Sequence, residues 1–97
     1  MKKFTYPAVL YYDEDNQIYV LHIGELGLVA EGETVEEAHM FLEKYLNQYI
    51  YTALKFNFPI PEPCSYDELK QKYKNKNILF LDAVFEDKTI EKLQKNS

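Results

Sequence analysis

The sequence predicts an α+β domain of order β-β-β-α-β, with one long helix across one face of a small sheet. Three observations lead there. The chain up to Gly32 holds three closely spaced segments rich in aromatic and β-branched residues, separated by polar or glycine-containing turns. A helix start, Thr34-Val35-Glu36-Glu37-Ala38, follows directly. From there neither Gly nor Pro occurs before Pro59, which leaves room for a helix of about six turns.

The first strand is expected over Phe4–Tyr12, with Pro7 inside it suiting an edge strand or a bulge. Asp13-Glu14-Asp15-Asn16 is a polar turn. The second strand, Ile18–Ile23, should pair with the first as an antiparallel hairpin. Its period-two alternation puts Ile18, Val20 and His22 on one face and Tyr19, Leu21 and Ile23 on the other. Gly24-Glu25-Leu26-Gly27 forms a loop, and Leu28–Glu31 a short third strand ending at Gly32, where a side chain would clash in the turn.

The helix begins with a capping box. The Thr34 hydroxyl should accept from a backbone amide of the first turn, and the Glu37 carboxylate should return to the cap amide. Glu36 and Glu37 also complement the helix dipole. Between Val35 and about Phe58 the apolar stripe reads Val35, Ala38, Leu42, Tyr45, Tyr49 and Ala53, widened by Leu46, Ile50 and Leu54. Met40, Phe41 and Tyr51 interrupt the polar side, so the apolar arc exceeds what one sheet contact needs, and a second partner should cover the rest.

Pro59-Ile60-Pro61-Glu62-Pro63 ends the helix in an extended segment. Ser65 and Glu68 form a second capping box, opening a short helix to about Tyr73. After the turn Lys74-Asn75-Lys76-Asn77 comes a mostly apolar strand, Ile78–Phe85, broken by Asp82. Its apolar content suggests burial on both faces, inside a sheet or at a subunit contact. A last helix, 87–96, has Ile90 and Leu93 as anchors. The chain reads as one domain over 1–97, with its core in 4–85.

Charge is unevenly spread. Nine acidic residues and no Lys or Arg lie between Phe4 and Glu43, whereas Lys70–Ser97 carries seven Lys against four acids; the net charge is −5 and there is no Arg. Arg is the preferred residue for bidentate phosphate and guanine contacts. An acidic chain without it suits a basic protein partner better than direct binding of DNA or RNA. The Tyr-rich strands lie in the acidic half, and core packing and a protein interface account for the aromatics better than a stacking platform for nucleic acid. No apolar run reaches membrane-spanning length and no signal peptide is visible. The single cysteine, Cys64, suits a reducing cytoplasm.

Catalytic constellations are scarce. His22 and His39 have no metal-ligand spacing and read as strand-surface and helix-surface residues. Cys64 has no neighbouring base in the sequence. Asp13, Glu14 and Asp15 lack the central Gly and closing Glu of an EF-hand loop. Asp82 could face solvent, pair with a Lys or act at an interface, and one carboxylate cannot anchor a two-metal nuclease site. Neither metal nor cofactor is expected.

Taken in order, Tyr6-Pro7-Ala8-Val9-Leu10, Ile18-Tyr19-Val20, Gly32-Glu33-Thr34-Val35-Glu36-Glu37-Ala38 and Ile60-Pro61-Glu62-Pro63-Cys64-Ser65 resemble the HicB family of type II antitoxins. The resemblance covers about residues 4 to 66 and rests on the order and spacing of these motifs. It implies a partial RNase H-like fold without the nuclease carboxylates. It also implies a non-enzymatic role: binding and neutralising a HicA toxin, a small basic ribonuclease that cuts mRNA. The family's Pro-Asp-Leu-Pro-Gly loop is here Gly24-Glu25-Leu26-Gly27, the Lys-rich segment Tyr66–Asn77 does not resemble family sequence, and twelve residues after Phe85 are too few for the family's DNA-binding module. The expected toxin contacts are the acidic residues Asp13, Glu14, Asp15, Glu25, Glu31 and Glu33. The alternative is a solitary HicB-like interaction module without a toxin, and in either case a homo-oligomer is expected.

Overall fold

A computed structural model describes residues 1–95. Its elements are β1 (Lys2–Asp13), β2 (Ile18–Ile23), β3 (Leu28–Gly32), α1 (Val35–Phe56), α2 (Tyr66–Lys72), β4 (Asn77–Phe85) and α3 (Asp87–Lys95), with a single 3-10 turn at Gly24–Leu26. The expected β-β-β-α-β order with short flanking helices is therefore present; Asn96, placed in the last helix from sequence, lies outside the described residues. The four strands form one antiparallel sheet of order β3-β2-β1-β4.

Alternation along each strand decides which residues meet α1. Tyr6, Ala8 and Leu10 of β1, Leu21 and Ile23 of β2, Ala30 of β3, and Leu81 and Ala83 of β4 are buried against Ala38, Leu42, Leu46, Ile50 and Leu54 of α1. The two faces expected for β2 are those observed. Alanines at 8, 30 and 83 keep the sheet surface shallow under the helix, so the leucines of α1 can close onto it. Burying one such leucine stabilises the fold by roughly 1.5–3 kcal/mol. Ile90 and Leu93 of α3 pack at the margin of the same core.

Several local expectations need correction. Tyr45 lies at the rim of the α1 stripe and is largely exposed, because the buried line runs through Leu42, Leu46, Ile50 and Ala53. The helix stops at Phe56, two residues early: Asn57 takes the left-handed conformation (φ 55°), and Phe58 N–H donates to the Ala53 carbonyl at 2.9 Å. Both capping boxes form on their hydroxyl side, with Glu37 N–H donating to Thr34 Oγ1 and Glu68 N–H to Ser65 Oγ. The carboxylates go elsewhere. Glu37 accepts from the N–H of Glu33, one residue before the cap, and Glu68 accepts from the Cys64 thiol.

β1, whose Pro7 suited an edge strand or a bulge, lies inside the sheet. Pro7 nevertheless has only one strand beside it, since it pairs with Phe80 of β4 while the β2 ladder begins at Val9. Of the two settings expected for β4, a sheet interior and a subunit contact, the first does not hold, since β4 lies at an edge. Leu81 and Ala83 face the core, while Phe80 and Val84 on the opposite face are 52% and 46% exposed.

Candidate functional site

A meander alternates its turns between the two ends of a sheet, and the ladders here show where each acidic residue falls. Asp13 pairs with Ile18, and Tyr19 pairs with Gly32, so the β1–β2 turn and the β3–α1 turn share one end. That end gathers Asp13, Glu14, Asp15, Glu31 and Glu33, with Glu36 from the first turn of α1 beside them. Glu25 is not among them; it lies in the 3-10 turn at the opposite end.

Asp13 is a structural member of the cluster. Its carboxylate accepts from Asn16 Nδ2 at 2.8 Å and from the backbone N–H groups of Asp15 and Asn16 at 3.1 and 3.3 Å. These bonds, the Asn16 side chain first, hold its carboxyl below the usual carboxylate range. Gln17 then turns the chain into β2 with φ 55°. Glu14 and Asp15 are thereby fixed at an exposed tip. Glu31 points away from α1, on the face it shares with Val20, and is exposed, as is Glu33. The result is an acidic ridge with hydrogen-bonded turns on both sides and no Lys in those turns.

The face of the sheet away from α1 is partly roofed by α2. Tyr66 stacks on Phe80 with ring centroids 5.9 Å apart, and Tyr73 meets the edge of His22 at 5.8 Å. Tyr11 approaches His22 from the other side at 6.0 Å. Beneath α2 lies a cleft of about 330 Å³ lined by His22, Glu25, Cys64, Glu68, Lys72 and Tyr73 among others. Burial, then the Lys72 ammonium, lowers the His22 pKa, with Glu25 opposing. The Glu25 carboxylate accepts from the Cys64 backbone N–H, which ties the 3-10 turn to the start of α2. Glu68 supplies the carboxylate beside Cys64 that sequence alone did not place, at 3.6 Å from the sulfur. Burial first, and then Glu68, raise the thiol pKa, so the sulfur stays protonated and weakly nucleophilic.

Asp82 accepts from the Thr5 hydroxyl at 2.6 Å and lies 4.0 Å from Lys3 Nζ, a cross-strand arrangement on the β1–β4 ladder. Among the described residues, no group of three or more His, Cys, Asp and Glu side chains is placed to hold a metal ion. No helix among them is long and apolar enough to cross a membrane.

No protein-family model matches the sequence, and no curated protein matches it significantly. Solved structures do match the fold. The chain is similar to the antitoxin HicB of Burkholderia pseudomallei, with a TM-score of 0.72 at 17% identity over 87% of this chain and 64% of that one. It is equally similar to a chain of a toxin–antitoxin complex from Streptococcus pneumoniae, with a TM-score of 0.72 at 18% identity over 86% of this chain and 70% of that one. The separate N-terminal domain of the Burkholderia pseudomallei HicB aligns with a TM-score of 0.64 at 14% identity, over 86% of this chain and 99% of that domain. The chain thus spans about two-thirds of the longer proteins and has the partial RNase H-like fold of the HicB N-terminal domain.

Proposed function

We propose that this chain is a non-enzymatic, HicB-like antitoxin domain that works in the cytoplasm by capturing a small basic mRNA-cleaving toxin of the HicA type. The observation that carries this reading is the likeness of fold to an antitoxin and to a chain from a toxin–antitoxin complex. The acidic ridge supports it. Glu14, Asp15, Glu31 and Glu33 present like charge from two adjacent turns, an arrangement that speeds encounter with a basic surface and disfavours nucleic acid. Glu25, tied to Cys64 at the other end, has a positioning role in the fold and is the weakest of the six proposed contacts.

The test is binding between the purified chain and the product of an adjacent gene encoding a small Lys/Arg-rich protein with one central His. Capture should weaken steeply with salt, and Glu14→Lys with Asp15→Lys should slow association while leaving the fold intact. Salt-insensitive binding, or none, would sink this reading.

One observation favours the second reading, an oligomeric interaction module without a toxin partner: Phe80 and Val84 are exposed on one face of the sheet, with Tyr66 of α2, itself exposed, stacked on Phe80. An assembly whose acidic ridge is already covered, from a genome with no adjacent toxin gene, would decide for it.

A further inference from the structure

The two edges of the sheet are unlike. β3 is five residues long, carries Glu31 on its open face and runs into the tight turn at Gly32, all of which blunt an edge against pairing. β4 is nine residues long, and β1 occupies only one of its sides. Its face away from α1 presents Ile78, Phe80 and Val84, interrupted only by Asp82, and it contains neither Lys nor Pro. α3 leaves the end of β4 and packs on α1. Asp82 is the one charge within β4, and it is occupied by Thr5 and Lys3 of its own chain, so the strand is far less protected than β3.

We infer that β4 pairs antiparallel with β4 of a second copy of this chain, giving a two-fold dimer with one continuous eight-stranded sheet. The register follows from length and charge. With the two-fold axis at Leu81 all nine residues pair, so Ile78 opposes Val84 of the partner subunit and Phe80 opposes Asp82 of the partner subunit. Just beyond the paired strands, Lys76 then meets Glu86 of the partner subunit, and this happens twice by symmetry. Both side chains are exposed. Moving the axis one residue toward the C-terminus sets Asp82 against its own copy. Moving it one residue toward the N-terminus leaves Val84 and Phe85 beyond the partner strand. In the full register each Asp82 keeps its own Thr5 hydroxyl and Lys3. The inference is independent of any toxin, since the acidic ridge lies on other turns.

The experiment is sedimentation equilibrium of the full chain across concentration, with folding checked by circular dichroism. The unmodified chain should be a dimer. Lys76→Glu and Glu86→Lys should each raise the dissociation constant roughly tenfold or more, because two like-charge pairs replace two complementary ones. The double exchange should restore dimerisation. Val84→Glu, which faces Lys3 on the β1–β4 ladder of its own chain and so should fold, is expected to abolish the dimer. A monomer at every concentration, a dimer indifferent to these substitutions, or a double exchange no better than the worse single would each overturn the inference.

Discussion

Three glycines offer a graded test of how the chain turns into α1. An ideal Cβ on Gly32 would lie 2.5 Å from the Ala38 backbone nitrogen and 3.0 Å from both the Thr34 carbonyl oxygen and the Glu37 Cβ. The nearest obstacle is backbone at the first turn of the helix, which cannot swing aside as a long side chain would. Ordinary contact needs roughly 3.5 Å or more, so Gly32→Ala must push the helix start outward by about 1 Å. That displacement disturbs the Thr34 cap and the Glu37–Glu33 bond together. Overpacking of this kind costs about 1–3 kcal/mol, and a lost cap about 1 kcal/mol more. Gly27 has open space around its Cβ position but φ 66°, so Gly27→Ala should cost only about 1–2 kcal/mol. Gly24 has neither obstacle, and Gly24→Ala should be neutral or slightly stabilising through the unfolded chain. Urea unfolding at fixed protein concentration reads the order directly. For a domain of this size each kcal/mol corresponds to roughly 4–8 °C in Tm. A Gly32→Ala variant as stable as the parent, or a Gly24→Ala variant less stable than it, would refute the geometry.

Leu46 is fully buried beneath the sheet, so Leu46→Ala should cost about 2–5 kcal/mol in the same assay; a loss under 1 kcal/mol would mean that α1 does not pack there. Tyr6 is buried and its hydroxyl donates to the Pro61 carbonyl, so Tyr6→Phe should cost about 1 kcal/mol and speed amide exchange in the segment after α1. For pH, burial and Lys72 hold the folded His22 pKa below its ordinary 6.5. The unfolded chain therefore takes up the proton first, and stability contributed by neutral His22 is full above that pH and lost as pH falls below it. His22→Gln should flatten this dependence, and an NMR titration of His22 midway above 6.5 would contradict it.

Much of the architecture was legible because it is written in short-range chemistry. Thr34 and Glu37, three residues apart, mark a helix start wherever the chain goes. The 3.6-residue stripe through Ala38, Leu42, Leu46 and Ile50 names the buried side of α1. Alternation in Ile18–Ile23 sorts His22 from Leu21 and Ile23 without knowledge of the neighbours. The separation of Glu25 from the other five acidic residues also follows from the strand order of a meander. Its bond to Cys64 does not, since the two are 39 positions apart in the chain.

Short-range patterns thus define the set of elements, their inward faces and the acidity of the first half. The tertiary structure decided their neighbours. β4 joins β1 through ladder partners such as Lys2–Phe85, more than eighty residues apart, and no local window encodes such a pairing. It gives Pro7 a strand on one side, leaves Phe80 and Val84 on an open edge, and brings Asp82 to Thr5. The fine targets of side chains belong to the same class: Glu37 turns to the N–H of Glu33, and Glu68 to the thiol of Cys64. Local propensity and hydrophobic period act over a few residues, whereas strand order is set by the summed burial of the whole sheet under α1.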